Sequence, residues 1–177
     1  MRTINITKGG KEFSYEMPTT WAEVSVAKFK KWSLSIVDVE GIEIMIKSIS
    51  ALSDCPEEWL WDFPETYLNE LANSIGFIME PVMVDTKDAI EIDGELYHVK
   101  RDFNQLSVGE VKAIEQLMEG NLLENFNILL TVLVRRKIDG EFQSVTPKLL
   151  EEQAKFDKVI ISDVYGLFED FQTGVVS

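Results

Sequence analysis

Two helix starts with the same pattern, 82 residues apart, constrain the fold of this chain more than any other feature. In "LSVGEVKAIEQL", Ser107 and Glu110 have the spacing of a capping box, in which the two side chains satisfy backbone N–H groups of the first turn. In "VSVAKFKKW", Ser25 predicts another helix start, although Lys28 stands where the box needs an acid. The two serines indicate that one structural plan is used twice.

The offset of 82 residues continues on both sides of the two serines. It aligns apolar and aromatic residues in five pairs: Tyr15 with Tyr97, Met17 with Val99, Trp21 with Phe103, Trp32 with Ile114 and Ile36 with Met118. A β-hairpin is predicted before each helix, with turns at Gly9-Gly10 and Asp93-Gly94. A unit that recurs in register predicts internal duplication.

Further helices are predicted in both halves. The apolar stripe of residues 42–52 and the apolar run "NLLENFNILLTVLV" each indicate a buried helix. Asp54 and Glu57 have the spacing of another cap and box, while Thr146-Pro147 is typical of a helix start. We therefore predict an α+β fold, mostly helical, with two β-hairpin-plus-helices repeats related by internal duplication.

The stretch "MEPVMVDTKD" marks the boundary between the repeats. We assign residues 1–80 to the first repeat, 81–88 to a connector and 89–177 to the second repeat. Because the connector is short and partly apolar, it is unlike a free flexible linker. We expect the two repeats to pack as one domain.

Charge and cysteine content restrict the partners. The net charge of −14 repels phosphate, which argues against direct binding of nucleic acid. The sequence has no apolar run near the about 18 residues that a membrane span requires. Cys55 is the single cysteine, so an intrachain disulfide is excluded, and we expect synthesis in a reducing cytoplasm.

The chemistry-bearing residues predict no active site. His98 is the single histidine and is expected to be an exposed strand residue, while Cys55 is expected to be a packing residue. Neighbouring carboxylates, as in Glu151-Glu152, diverge around a helix. The basic run 135–137 fits the end of a helix better than a ligand site. We predict no catalytic residues, no cofactor and no metal.

Two groups of residues are candidates for binding a protein partner. Trp59 and Trp61 lie in "WLWDF", which is either a binding hot spot or a set of aromatic side chains that fix a short helix to the core. The other group is an apolar stripe at helical spacing near the C-terminal end: Ile160, Val164, Leu167 and Phe171. This stripe either binds a neighbouring subunit or closes over the second repeat.

The segments "DGELYHVKRDFNQLSVGEVKAIEQL", "DCPEEWLWDFP" and "NFNILLTVLV" resemble small acidic virion or tail-assembly proteins of tailed bacteriophages, including crAss-like and related Bacteroidales phages. The resemblance implies a non-enzymatic structural or assembly protein at the head-tail neck or the tail. It implies phage structural proteins, or further copies of this chain, as partners. The location would be the host cytoplasm during assembly, or the virion.

The sequence also fits an alternative function. The chain could be a free phage or bacterial regulator that sequesters a host protein through its acidic surface. Its presence in purified particles distinguishes the two hypotheses.

Overall fold

The computed structural model describes residues 1–82 and 87–174. The chain divides into two compact units, Met1–Met83 and Val84–Ser177, and the boundary falls inside the predicted connector 81–88. Residues 83–86 of that connector lie outside the described residues. Helices predominate over strands in the described chain, which confirms the predicted mostly helical α+β class. The packing of the two units as one domain stays a prediction.

Unit 1 begins with an antiparallel hairpin of two strands, β1 (Arg2–Lys8) and β2 (Lys11–Met17). Gly9 and Gly10 form its turn with positive φ, a conformation that glycine adopts without a steric penalty. Strand alternation places Ile4 and Ile6 on the buried face. This hairpin confirms the one predicted at Gly9-Gly10.

The rest of unit 1 is helical. Its α-helices are α1 (Val26–Ser35), α2 (Ile42–Ser53), α3 (Glu57–Leu60) and α4 (Glu65–Ser74). A 3-10 helix precedes α1 at Trp21–Glu23, and another follows α4 at Gly76–Met79. The Ser25 hydroxyl accepts the Lys28 N–H at 3.3 Å, which confirms the predicted cap of α1. The Trp21 ring contacts the Phe77 ring, with 5.0 Å between centroids.

The cap and box predicted at Asp54 and Glu57 are wrong. Asp54 instead ends α2 in the left-handed conformation, with a φ of 64°, and the N-cap of α3 is Pro56. Aspartate tolerates this conformation better than most residues, so it suits the end of a helix. Its carboxylate accepts a hydrogen bond from Lys31 Nζ at 2.7 Å.

Unit 2 repeats this order of elements in its first part. Its hairpin consists of β3 (Ala89–Ile92) and β4 (Glu95–Val99). A 3-10 helix at Phe103–Gln105 and the helices α5 (Val108–Met118) and α6 (Phe126–Leu133) follow. Ser107 and Glu110 form the predicted reciprocal capping box at the start of α5. The helix α6 is almost entirely buried, as its apolar sequence predicts.

Residues 134–146 then form short strands. They are β5 (Val134–Arg135), β6 (Lys137–Ile138) and β7 (Glu141–Phe142). Strand β5 pairs with β4, and β6 pairs with β7 around the turn at Asp139-Gly140. In unit 1 the corresponding connection, residues 54–56, forms no strand. Unit 2 therefore carries an insertion after its second helix.

The C-terminal part of unit 2 is helical again. It contains α7 (Pro147–Leu150), a 3-10 helix at Glu151–Lys158 and α8 (Ile161–Gly174). The Thr146 hydroxyl accepts the Leu149 N–H at 3.2 Å, so the helix start predicted at Thr146-Pro147 is confirmed. The short α7 and the longer α8 follow the insertion as α3 and α4 follow α2 in unit 1.

Several local features agree between the units at the predicted offset. The 3-10 helices Trp21–Glu23 and Phe103–Gln105 lie 82 residues apart, as do the two serine caps. Trp21 and Phe103 each contact a phenylalanine in the last helical segment of their unit, although these partners, Phe77 and Phe171, do not correspond at that offset. The first helices differ, because Val26 is buried whereas Val108 is 76% exposed. Internal duplication stays a hypothesis.

The second helices correspond at an offset of 81 residues rather than 82. The buried residues of α2 are Ile46, Ser48, Ile49, Ala51, Leu52 and Ser53. Adding 81 to each number gives buried residues in and just after α6: Asn127, Leu129, Leu130, Val132, Leu133 and Val134. The buried faces therefore match after a one-residue slip in the connection between the first and second helices.

Among the described residues, the helices are too short or too polar to cross a bilayer.

Candidate functional site

The two tryptophans predicted to bind a partner have different environments. The ring of Trp59 contacts those of Phe13 and Tyr15, with centroids 4.8 Å and 6.1 Å away, so it packs α3 against the hairpin of unit 1. Trp61 is 52% exposed. The core-packing interpretation therefore describes Trp59 but not Trp61, which stays a candidate for partner binding.

The C-terminal stripe closes over unit 2. Val164, Leu167 and Phe171 are buried, and Ile160 is half-buried at the start of α8. The sequence allowed the stripe either to bind a neighbouring subunit or to pack on its own unit. The structure shows that it packs on its own unit. Three of these four side chains are core residues here, so they offer no free surface to a partner.

The single histidine and the single cysteine are both tied into the fold. His98 was expected to be exposed, but it is half-buried. It lies on β4, which is the central strand of its sheet because β5 pairs with it on the side opposite β3. Cys55 is buried, and this burial together with the nearby Glu58 raises the pKa of its thiol to about 11. The thiol is thus protonated at neutral pH, as suits a packing residue. No cluster of potential metal ligands occurs in the described part of the chain.

A buried charge cluster lies where the insertion meets α5. The carboxylate of Glu110 accepts hydrogen bonds from the Arg135 guanidinium and from Lys100 Nζ, the latter at 3.0 and 3.1 Å. Glu110 and Arg135 are each 2% exposed. The Glu110 carboxylate also accepts the Ser107 N–H of the capping box. One acid thus joins the start of α5 to β4 and β5.

The hydrogen bonds decide the charge state of Glu110. Burial alone would raise its pKa, but the hydrogen bonds from the Ser107 backbone and Lys100 act in the opposite direction. The Arg135 charge lowers the pKa further, and the net effect holds it below the ordinary carboxyl value. Glu110 is therefore ionised at neutral pH, and the buried arginine has its counter-charge.

A polar pocket of about 470 Å³ opens beside this cluster. Its walls come from the end of β4, the start of α5 and the insertion, and they include Lys100, Arg101, Glu110, Arg135, Lys137 and Phe142. Arg135 donates through one terminal nitrogen to the Gln143 carbonyl and through the other to Glu110. Its Nε is buried and has no hydrogen-bond partner among the described residues. We take this pocket as the candidate binding site of unit 2.

Sequence reasoning identified Glu110 only as a capping residue and placed Arg135 at the end of a helix. Arg135 is the second residue after the end of α6, and it belongs to a strand that pairs with β4. The available signal was a run of three basic residues after an apolar helix, followed by an Asp-Gly turn. That signal did not show which acid, 25 residues earlier, would meet the arginine.

Four exposed apolar residues lie close together in the sequence, around the turn between α1 and α2. They all fall within residues 34–44 and are Leu34, Val37, Ile42 and Ile44. Val37 is 60% exposed and Ile42 is 49% exposed. Exposed acidic residues stand between them at 38, 40 and 43. We call this group the helix-turn patch of unit 1.

Comparison of the chain with protein-family models, with curated proteins and with solved structures finds no match.

Proposed function

We propose that the protein acts by protein–protein association, as a non-enzymatic structural or assembly component of a tailed bacteriophage particle at the neck or the tail. The helix-turn patch of unit 1 is the observation that carries this proposal. Several exposed large apolar residues within one short segment, with exposed acidic residues between them, are typical of segments that bind other proteins.

The surroundings of the patch fit a protein partner. Other large apolar residues of α2, such as Ile46, Ile49 and Leu52, are fully buried. Unit 1 therefore has a well-formed core, and the patch residues lie outside it. Val37 lies in the connection after α1, and Ile42 begins α2, so the patch is at one end of the helix pair. A surface of this kind at a helix-pair end can enter a groove of a neighbouring subunit.

Two further observations support association over catalysis. The single thiol is protonated at neutral pH, and the single histidine is part of a central strand. The overall charge of −14 opposes direct binding of nucleic acid, which leaves protein as the partner class that we propose.

The experiment combines virion analysis with a matched pair of variants. Purified virions are examined by mass spectrometry for the chain and for its copy number relative to the portal protein. Val37→Asp places a charge in the patch. The control Ile138→Asp places a charge outside the patch, on β6, at another β-branched apolar residue that is 59% exposed. We expect the wild type and Ile138→Asp to be incorporated and Val37→Asp to be depleted.

A chain that is monomeric in sedimentation and is missing from purified virions would contradict the assembly proposal. That result would favour the free regulator that sequesters a host protein. If Val37→Asp is incorporated as well as the wild type, the patch is not the association surface, and Trp61 becomes the next position to test.

A further inference from the structure

The strand β1 has an open edge. The sheet of unit 1 has two strands in the described chain, so no strand lies beside β1 on the side away from β2. In an antiparallel pair, every second residue bonds to the partner strand, and the backbone groups of the residues between point away from it. Lys8 and Lys11 flank the two-residue turn and form a bonded pair. The outward N–H and C=O groups therefore belong to Thr3, Asn5 and Thr7.

The side chains along this edge leave its backbone uncovered. Thr3 Oγ1 donates to Glu16 Oε1 at 2.9 Å, and Ser14 Oγ donates to Asn5 Oδ1 at 2.7 Å, so both edge side chains are directed toward β2. Thr3, Asn5 and Thr7 are exposed and uncharged, and the hairpin register is continuous from end to end. Charged side chains, prolines and bulges usually protect an edge strand. The middle of β1 has none of them.

The outer edge of β2 is different. Its outward residues are Glu12, Ser14 and Glu16, two of which are acidic. Lys28 Nζ donates to the Glu16 carbonyl at 3.4 Å, so part of this edge is already occupied. Charged side chains at an edge oppose pairing with a further strand. Of the two edges of this hairpin, the β1 edge is therefore the one that suits an additional strand.

A groove of about 410 Å³ lies beside β1. Its walls are residues 5–9 of the hairpin on one side and Trp59, Asp62 and Phe63 on the other. A strand added to β1 alternates as β1 does, so its residue opposite Ile6 turns toward the same face as Ile6. That side chain enters the groove beside the two aromatic rings, which favours an apolar residue there.

The charges at the turn end of the groove favour an acidic neighbour for that residue. Lys8 Nζ lies 5.4 Å from the centroid of the Trp59 ring and 2.9 Å from Asp62 Oδ2. Lys11 faces Lys8 in the hairpin register and is exposed. This end of the groove thus has two basic residues beside one acid. An acidic residue opposite Lys8 balances the difference.

A second copy of the chain fits this edge poorly. Two β1 strands pair antiparallel over their whole length when Asn5 of one copy lies opposite Asn5 of the other. Arg2 of each copy then lies directly opposite Lys8 of the other copy. Like charges directly opposite each other destabilise a strand pair. The charges of β1 therefore favour a segment of a different protein.

We infer that β1 binds an extended segment of another protein as an additional antiparallel strand. An apolar side chain of this segment lies in the groove beside Trp59, and an acidic one lies at Lys8. Bonds to the β1 backbone supply affinity, and the groove supplies specificity. This surface goes beyond the proposed function, because it does not depend on the helix-turn patch or on a phage particle.

The test is an NMR titration of the ¹⁵N-labelled full chain with the N-acetylated hexapeptide amide Asp-Thr-Leu-Thr-Val-Thr. In the inferred register its aspartate lies opposite Lys8 and its leucine opposite Ile6. Hydrogen exchange supplies the decisive signal. The Asn5 and Thr7 amides should exchange quickly in the free chain and at least about tenfold more slowly with saturating peptide. The Ile6 amide bonds to β2 and should exchange slowly in both states.

Modified peptides separate main-chain pairing from side-chain contact. N-methylation of the fourth peptide residue removes the N–H that donates to the Asn5 carbonyl, and it should weaken binding about tenfold. N-methylation of the third residue is the matched control, because that N–H points away from β1, and it should leave binding unchanged. Replacing the leucine with serine or the aspartate with lysine should weaken binding about fivefold in each case.

A pair of proline variants tests the assignment in the chain itself. Asn5→Pro removes an N–H that points away from β2, a position at which an edge strand accepts proline. Ser14→Pro removes the equivalent N–H on the other edge, and each variant loses the hydrogen bond between the two side chains. We expect Asn5→Pro to lose peptide binding and Ser14→Pro to keep it. Far-ultraviolet circular dichroism verifies that both variants fold.

Four results would overturn the inference. The Asn5 and Thr7 amides could exchange as slowly as the Ile6 amide in the free chain, which would show that the edge is already covered. The peptide could leave the β1 amides unchanged at its highest concentration, or its two methylated forms could bind equally. Wild-type chain that dimerises in sedimentation, with Asn5→Pro monomeric, would assign the edge to a second copy.

Discussion

Each unit has an ion pair between the third residue of its first helix and a residue just after its second helix. The acid and the base exchange places between the two units. In unit 1, Lys28 is the third residue of α1, and its Nζ lies 3.6 Å from Oδ2 of Asp54, the residue that follows α2. In unit 2, Glu110 at the third position of α5 binds Arg135, which follows α6 closely. Lys28 and Glu110 differ by 82 in number, and Asp54 and Arg135 differ by 81, as the buried faces of the second helices do.

The two pairs differ in their exposure to solvent. The Lys28 and Asp54 side chains are 23% and 57% exposed, whereas those of Glu110 and Arg135 are 3% and 2% exposed. The insertion at residues 134–146 accounts for this, because it contains Arg135 and places the Phe142 ring and the Gln143 carbonyl against its guanidinium. Covering a charge removes its hydration and makes it dependent on its partner. The same position is thus a weak surface contact in one unit and part of the core in the other.

Removing the acid of the buried pair should have the largest effect. Glu110→Ala leaves Arg135 buried without its counter-charge, and we expect unit 2 to lose about 3–5 kcal/mol of unfolding free energy. Lys28→Ala breaks an exposed pair and the 2.6 Å hydrogen bond to the Leu52 carbonyl, so unit 1 should lose about 1 kcal/mol.

Urea unfolding followed by two signals measures these losses. All four tryptophans, at 21, 32, 59 and 61, belong to unit 1, so tryptophan fluorescence reports unit 1 while circular dichroism reports both units. Glu110→Ala should lower the dichroism midpoint more than Lys28→Ala does. Losses of similar size in the two variants would contradict the difference between a buried and an exposed pair.

The second prediction concerns pH. Because the pKa of Glu110 is lowered in the folded state, its contribution to stability is fully present above the unfolded carboxyl pKa of about 4.3. That contribution is lost as the pH falls through the folded-state pKa. Wild-type unit 2 should therefore lose more stability between about pH 6 and about pH 3 than the variant Glu110→Gln, which cannot ionise at this position.

Urea midpoints by circular dichroism across this pH range measure the effect. A Glu110→Gln variant with the same pH slope as the wild type would show that other carboxylates account for acid unfolding.

The extent to which the sequence predicts this fold depends on how local each feature is. The turns at Gly9-Gly10 and Asp93-Gly94 and the caps at Ser25 and Ser107 depend on a few adjacent residues, and the structure confirms them. Asp54 was misassigned because its sequence fits the start of one helix as well as the end of another.

The candidate site was beyond sequence reasoning for a different reason. The contact of Glu110 with Arg135 exists only after β5 has paired with β4, and a two-residue strand has no alternation that a sequence can reveal. The one-residue slip between the first and second helices is also invisible when one offset is applied throughout. Val164 and Phe171 formed a recognisable stripe, but periodicity does not tell whether a stripe faces a partner or the core of its own chain.

The third prediction compares the two serine caps. Ser107→Ala removes half of a reciprocal box and should cost unit 2 about 1 kcal/mol of unfolding free energy. Ser25→Ala removes a single 3.3 Å hydrogen bond and should cost unit 1 about 0.5 kcal/mol. Urea melts with the two separate signals measure both. A larger loss at Ser25 would show that tertiary contacts outweigh the caps.

The smallest expected effect concerns Asp54, the counterpart of Arg135. Asp54→Asn keeps a side chain that tolerates the left-handed conformation at φ 64° and removes only the charge near Lys28 and Lys31. Exposed pairs contribute little, so unit 1 should lose at most about 0.5 kcal/mol, and the loss should shrink further in high salt. Asp54→Ala is the informative companion, because it removes the charge and also puts a poorly suited side chain at positive φ. A larger loss for Asp54→Ala than for Asp54→Asn in tryptophan-detected urea melts assigns this position to backbone conformation. Equal losses would mean that the charge is the dominant contribution, and the exposed pair of unit 1 would then resemble the buried pair of unit 2 more closely than their solvent exposure indicates.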